Sequence, residues 1–166
     1  MTNKRPVIAS HLTPTDKIME TSSWALLVAL WVMSIYCVFT SPETIPIHFN
    51  GSGEADRSGD KSTLLFLPAV CSILILGMTK INQYPHLFNF PVAVTSDNAP
   101  RQYHLAQRMI RYLKLVIVFI FLFINLHTML TVKGMYPGLK TWLLPLILIM
   151  IFIPTIWFSI KSLKLK

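Results

Sequence analysis

The chain has 166 residues, of which 53% are hydrophobic and 13% charged, with a mean hydropathy of +0.55; soluble domains carry about 25% charged residues, so a water-soluble globular protein is excluded. The formal charge of +8 would suit a nucleic acid, but the basic residues flank apolar runs, where topology and anionic headgroups account for them, and no nucleic-acid partner is expected.

Apolar runs of about 17 to 20 residues, at about 1.5 Å per residue, cross a hydrocarbon core of roughly 30 Å. Four are present, so the lipid bilayer is the expected surrounding. The first, Trp24 to Phe39, is uncharged and is extended by Ser22, Ser23 and Thr40. It is longer than a signal-peptide core, and Pro42 stands where a small-residue cleavage site would be needed, so an uncleaved anchor is expected. The second, Thr63 to Met78, lies between Lys61 and Lys80, whose side chains can snorkel to the headgroups. The third runs from Leu115 to Val132 and the fourth from Thr141 to Ile160. Cys37 and Cys71 fall inside spans without a C-x-x-C partner and read as small apolar fillers. The expected fold is an all-α membrane bundle of about four transmembrane helices. It divides into an N-terminal arm (1–22), a two-span unit (23–80) with a motif loop at 41–62, and a connection with a C-terminal two-span hairpin (81–166).

Lys and Arg resist translocation and accumulate on the cytoplasmic side. Lys4, Arg5 and Lys17 in the arm, Lys80, Arg101, Arg108, Arg111 and Lys114 in the second connection, and Lys161, Lys164 and Lys166 in the tail make eleven of the fifteen. Arg57, Lys61, Lys133 and Lys140 lie in the other two loops, and Glu43, Glu54, Asp56 and Asp60 all fall in the first. Both termini are therefore expected in the cytoplasm and the first loop outside, in a multi-pass protein of the inner (cytoplasmic) membrane.

In that loop Pro42 and Pro46 stop the helix and set an extended entry, and Gly51, Gly53 and Gly59 with Asn50, Ser52, Asp56, Ser58 and Asp60 predict a compact turn. Asp60 or Ser62 would cap the second span. The turn could fold Glu54, Asp56 and Asp60 back toward His48. Glu54, Asp56, Ser58 and Asp60 put oxygens at alternate positions, with Gly59 at the sixth place of an EF-hand-like loop, but the twelfth place is Leu65, which supplies no carboxylate. No H-E-x-x-H or paired-Cys spacing supports zinc, and neither a metal nor a cofactor is expected.

The run IPIHFNGSGEADRSGDKST, set between two spans, resembles the domain of unknown function 1648. Its members show an I-P-x-H-[FW]-[ND] run, a G-x-x-D step and a Lys before the next span, matched here by Ile45, Pro46, His48, Phe49, Asn50, Gly53, Asp56 and Lys61. The resemblance covers about Trp24 to Gly77. It implies a bacterial multi-pass protein, related in its N-terminal domain to membrane immunity proteins of the kind that protect against the sporulation-delay toxin.

The second connection holds aromatics and prolines of interfacial type, then SDNAP, a helix start that tolerates Pro100 in its first turn. From there Tyr103, Ala106, Ile110 and Leu113 recur at helical spacing, with Arg101, Arg108 and Arg111 as a basic face expected to anchor topology and touch lipid. His86, Asn89 or Arg101 could instead bind a ligand or partner. Asn125 and His127 are the conspicuous polar residues of the third span; polar side chains at such depth turn inward to hydrogen bonds or a wet cavity. Pro145 and Pro154 are expected to kink the fourth span.

The expected function is a non-enzymatic immunity or sensing module whose outer loop recognises a peptide, lipid or membrane-protein partner. Its candidate binding residues are His48, Asn50, Glu54, Asp56, Asp60, Asn125 and His127, and His48 and His127 could share one outward site. The alternative is a small transporter or channel subunit, a homo-oligomer because four spans leave little room for a pathway. A hydrolase using His48 lacks a Ser, Cys or paired-carboxylate motif.

Overall fold

A computed structural model describes residues 5–8, 11–136 and 138–165; Lys4 and Lys166, used in the orientation count, lie outside the described residues. The chain is mostly helical, as expected. Helices α1 (Pro14–Thr40), α2 (Phe66–Ile81, entered through a 3-10 turn over Lys61–Leu65), α3 (Ala99–Val132) and α4 (Leu143–Leu163) are each long and apolar enough, with that turn counted, to cross a membrane. The loop between α1 and α2 is more ordered than a turn. It is an antiparallel hairpin of β1 (Thr44–Phe49) and β2 (Ala55–Asp60).

Helix α1 begins ten residues ahead of its apolar run. Thr13 caps it, its hydroxyl accepting from the Asp16 amide at 3.3 Å while the Asp16 carboxylate accepts from the Thr13 amide at 3.0 Å. This reciprocal box satisfies two first-turn donors, and Pro14 at the first position loses no helical bond. The buried residues of α1 are Asp16, Ser23, Leu27, Leu30, Ser34 and Cys37, a narrow stripe at three- and four-residue steps. Val28, Val32, Ile35 and Phe39 face outward, as they must when hydrocarbon is the solvent. Helices in lipid gain little from hiding leucines, and they associate through small side chains, close packing and polar ties. Ser23, Ser34, Cys37 and Cys71 supply the small contacts, and the Trp31 indole donates to the Ser72 hydroxyl at 3.0 Å to join α1 to α2.

Helix α3 is central and packs on the other three, most extensively on α1. Leu27, Leu30, Cys71, Ile75 and Val118 form the core of the first three helices. Both cysteines are free and buried, Cys37 against Ile45 and Leu64 at the foot of the hairpin. Helix α4 lies against α3 at the edge of the bundle. Only one of its prolines interrupts it: Pro145 sits in the first turn, where a missing amide costs nothing, and Pro154 is interior. Pro154 leaves the Met150 carbonyl without a helical donor, and the Tyr112 hydroxyl of α3 fills the vacancy at 3.0 Å. The proline thus creates a polar tie between the two helices.

The termini share one end of the bundle. Arg5 donates to the carbonyls of His86 and Phe88, Tyr103 donates to the Pro6 carbonyl, and the Gln102 amide reaches the carbonyls of Ser162 and Leu165. The hairpin and the α3–α4 loop form the opposite end, joined by a bridge between Glu54 and Gly138.

Candidate functional site

The hairpin is built by the residues that made its motif recognisable. Thr44 pairs with Asp60, Ile45 with Gly59, Pro46 with Ser58, His48 with Arg57 and Phe49 with Ala55. Pro46 cannot donate to the ladder, and the register slips between Pro46 and His48, which leaves Ile47 unpaired. Gly59 makes room for it, since a Cβ there would come within 2.6 Å of the Ile47 Cδ1. At the tip the Asn50 side chain accepts from the amides of Ser52 at 2.9 Å and Glu54 at 3.0 Å. Gly53 adopts φ +81°, a left-handed conformation that glycine enters without penalty. At the base Lys61 pairs with Glu43 at 2.9 Å, and Asp60 accepts from the Ser62 amide at 2.7 Å, capping the 3-10 turn. Ile45, 1% exposed, anchors the hairpin against Cys37 and Leu64, with Met129 and Val132 beside them.

Of the acidic residues expected near His48, Asp56 alone reaches it, with Nδ1 and Oδ1 2.6 Å apart and both side chains about half exposed. Glu54 turns to Asn50 and Asp60 to the cap. The EF-hand-like alternation lies along an extended strand, where ligands spread instead of converging, and no group of three or more His, Cys, Asp or Glu among the described residues is arranged to hold a metal ion. The His48 hydrogen bond holds the Asp56 carboxyl below its ordinary range. A carboxyl so lowered stabilises the fold above the unfolded value of about 3.9, and loses that contribution as pH falls through the lower folded value. Amide protection factors over residues 44–60 are therefore expected to fall as pH drops below about 4, and Asp56→Asn should remove most of that acid dependence. An unchanged acid profile in Asp56→Asn would show that the pair does not hold the strands.

Beside the hairpin lies a groove of about 310 Å³, lined chiefly by Ile45, Ile47, Phe66, Leu67 and Ile124, with His48 on its wall. Of the third span's candidate residues, neither Asn125 nor His127 lines this groove. Asn125 is fully buried and donates to the Ser34 hydroxyl of α1. The His127 ring, also buried, lies 4.3 Å from Phe123 and 5.7 Å from Tyr136, centre to centre. The ring contacts and hydrogen bonds of His127 do not reach His48 or Asp56, so the two histidines occupy separate settings among the described residues.

A second cluster went unread in the sequence. Arg108 and Arg111, expected with Arg101 as a basic face toward lipid and headgroups, turn inward on α1 together with Lys114, whereas Arg101 stays exposed. Asp16, fully buried, receives Arg108 Nε at 2.9 Å and His104 at 3.2 Å, with Arg111 at 3.8 Å. Glu20 pairs with Lys114, itself fully buried, at 2.5 Å, and the same ammonium donates to Thr79 of α2 at 2.6 Å and lies over the Trp24 ring. The inward turn has a physical cause: in low dielectric a cation that finds a carboxylate on a neighbouring helix is held far more strongly than one facing mixed headgroups. The available signal was spacing. Asp16 and Glu20 are one helical turn apart, as are Arg108, Arg111 and Lys114 in succession, so the two helices carry complementary stripes.

These features define a multi-pass helical membrane protein whose first two spans are joined by an ordered hairpin. Residues 25–71 match the family model described as "Domain of unknown function (DUF1648)", which bears out the resemblance carried by Ile45 to Lys61. An "Uncharacterized protein" of Archaeoglobus fulgidus is 40% identical over 90 residues, an overlap that takes in 49% of this chain and 49% of the relative, so the chain spans about half the length of that protein. No solved structure matches.

Proposed function

We propose that this is a non-enzymatic membrane module of immunity or sensing type. Its hairpin faces out of the cytoplasmic membrane and takes an apolar segment of a peptide or membrane partner into the groove beside β1. The observation that carries the reading is the groove itself. It is apolar, flanked by a hairpin tied to the bundle at foot and tip, and has on its wall His48, whose imidazole is paired with the accessible Asp56. Apolar concavities with a few placed polar groups are general binding geometry, and a paired imidazole and carboxylate can orient a peptide amide or terminal amine. The predominance of Lys and Arg at the opposite end supports an outward hairpin.

The test is binding of envelope-active apolar peptides to the purified protein in lipid nanodiscs. His48→Ala and Asp56→Ala are each expected to weaken binding about tenfold, the loss of one charge-assisted hydrogen bond, while His127→Ala leaves it unchanged. Absence of saturable binding would sink the proposal, and solute flux from reconstituted vesicles would favour the small oligomeric transporter instead.

A further inference from the structure

At the termini end, a cleft of about 230 Å³ opens between the first turns of α3 and the last turn of α4, lined by Arg101, His104, Arg108, Trp157, Phe158 and Lys161. It lies at the opposite end of the bundle from the hairpin groove and is independent of it. Three of its side chains are permanent cations, and their neutralisation is uneven. Arg108 is engaged by Asp16. Arg101 and Lys161 are exposed and have no carboxylate within ion-pair distance among the described residues. Little acid remains to serve them. Of seven acidic residues, four are in the segment between α1 and α2, Asp16 and Glu20 are spent on α3, and Asp97 makes no ion pair among the described residues.

The surroundings add a second kind of complementarity. The Lys161 ammonium is held 4.8 Å above the centre of the Trp157 ring, and Trp157 packs edge-on to Phe158. Lys161 stands where the apolar run of α4 ends, the level at which cations and indoles meet headgroups. Arg101 stands in the first turn of α3, whose amino-terminal dipole favours an anion. A phosphodiester carrying acyl chains matches this set: its charge meets Arg101 and Lys161, and its chains run along Trp157, Phe158 and the lipid-facing side of α4. We propose that this cleft binds the phosphate of an anionic glycerophospholipid, which fastens α3 to α4 at the membrane surface.

The experiment is thermal unfolding of the full chain in neutral detergent with added phosphatidylglycerol, phosphatidylcholine or inorganic phosphate. Phosphatidylglycerol is expected to raise Tm by about 3 °C or more, a rise that shrinks with salt, and the other two should leave Tm in place. Lys161→Gln, at an exposed position, should keep the lipid-free Tm and lose at least half the rise. Arg101→Gln should do the same, and native mass spectrometry should find one phosphatidylglycerol retained per chain and lost in Lys161→Gln. Equal shifts with phosphatidylcholine, the same shift with inorganic phosphate, or a full shift in Lys161→Gln would each overturn the assignment.

Discussion

Asp16→Ala is expected to destabilise the bundle by about 3 kcal/mol or more, the cost of removing the buried carboxylate on which partly buried Arg108 and buried Arg111 converge. The side chain has no exposed surface and serves three ends at once. It closes the capping box with Thr13, binds Arg108 in good geometry, and is the nearer carboxylate to Arg111, whose Nη1 already lacks a hydrogen-bond partner among the described residues. Alanine would leave Arg108 and Arg111, one turn apart on α3, without this carboxylate, Arg111 keeping only Glu20 at 3.9 Å, and would also remove a cap interaction of about 1 kcal/mol. Asp16→Asn, which keeps hydrogen-bonding capacity and removes charge, should fall between wild type and alanine. Unfolding in mixed micelles by a denaturing detergent measures both. A loss below about 0.5 kcal/mol in Asp16→Ala, the size of an exposed pair, would show that the cluster is screened and that the close packing of α1 on α3 carries the contact.

Gly53→Ala is expected to detach the hairpin tip from the α3–α4 loop. The residue sits at φ +81°, and an added Cβ would run into the Leu139 carbonyl, a backbone atom that cannot rotate away. A non-glycine residue in that conformation costs about 1–2 kcal/mol before any clash. The Glu54–Gly138 bridge is the adjacent contact that would give way. Gly51 is the internal control: nothing stands within 4 Å of its Cβ position, so Gly51→Ala should change stability by less than about 0.5 kcal/mol. Limited proteolysis between residues 50 and 56 reads the difference directly. Cleavage should quicken in Gly53→Ala alone, and equal rates in the two variants would refute the pinned tip.

The four helices were legible because length and hydropathy are nearly sufficient in a membrane, where every backbone amide must be satisfied within its own segment. The motif loop was recognisable as a family signature but not as strands. The β2 segment ADRSGD has no β-branched or aromatic residue, so it carries no strand propensity of its own. It pairs because Pro46 and Asn50 preset β1 and the turn, and because Ile45 pins the foot. The His48–Asp56 pair was within reach of the sequence, since it closes across a short turn, whereas the separate aromatic setting of His127 depends on packing across the α3–α4 loop. Counting Lys and Arg by segment addressed topology, but it could not distinguish a cation that faces headgroups from one that faces Asp16 or Glu20. That distinction lies in helix rotation, which the paired spacing on α1 and α3 encodes.

Helix α3 has 34 residues, about 50 Å of continuous helix, with no glycine and its single proline, Pro100, in the first turn. Nothing along it offers a hinge. One end touches the hairpin through Met129 and Val132, and the other carries Arg101 and the hold on the C-terminal tail through Gln102. Such a rod works as a lever: a tilt of about 5° at one end displaces the other by about 4 Å over that length. An event at the hairpin would therefore reach the opposite membrane face as movement of a single rigid element, without a relay of side-chain rearrangements between them.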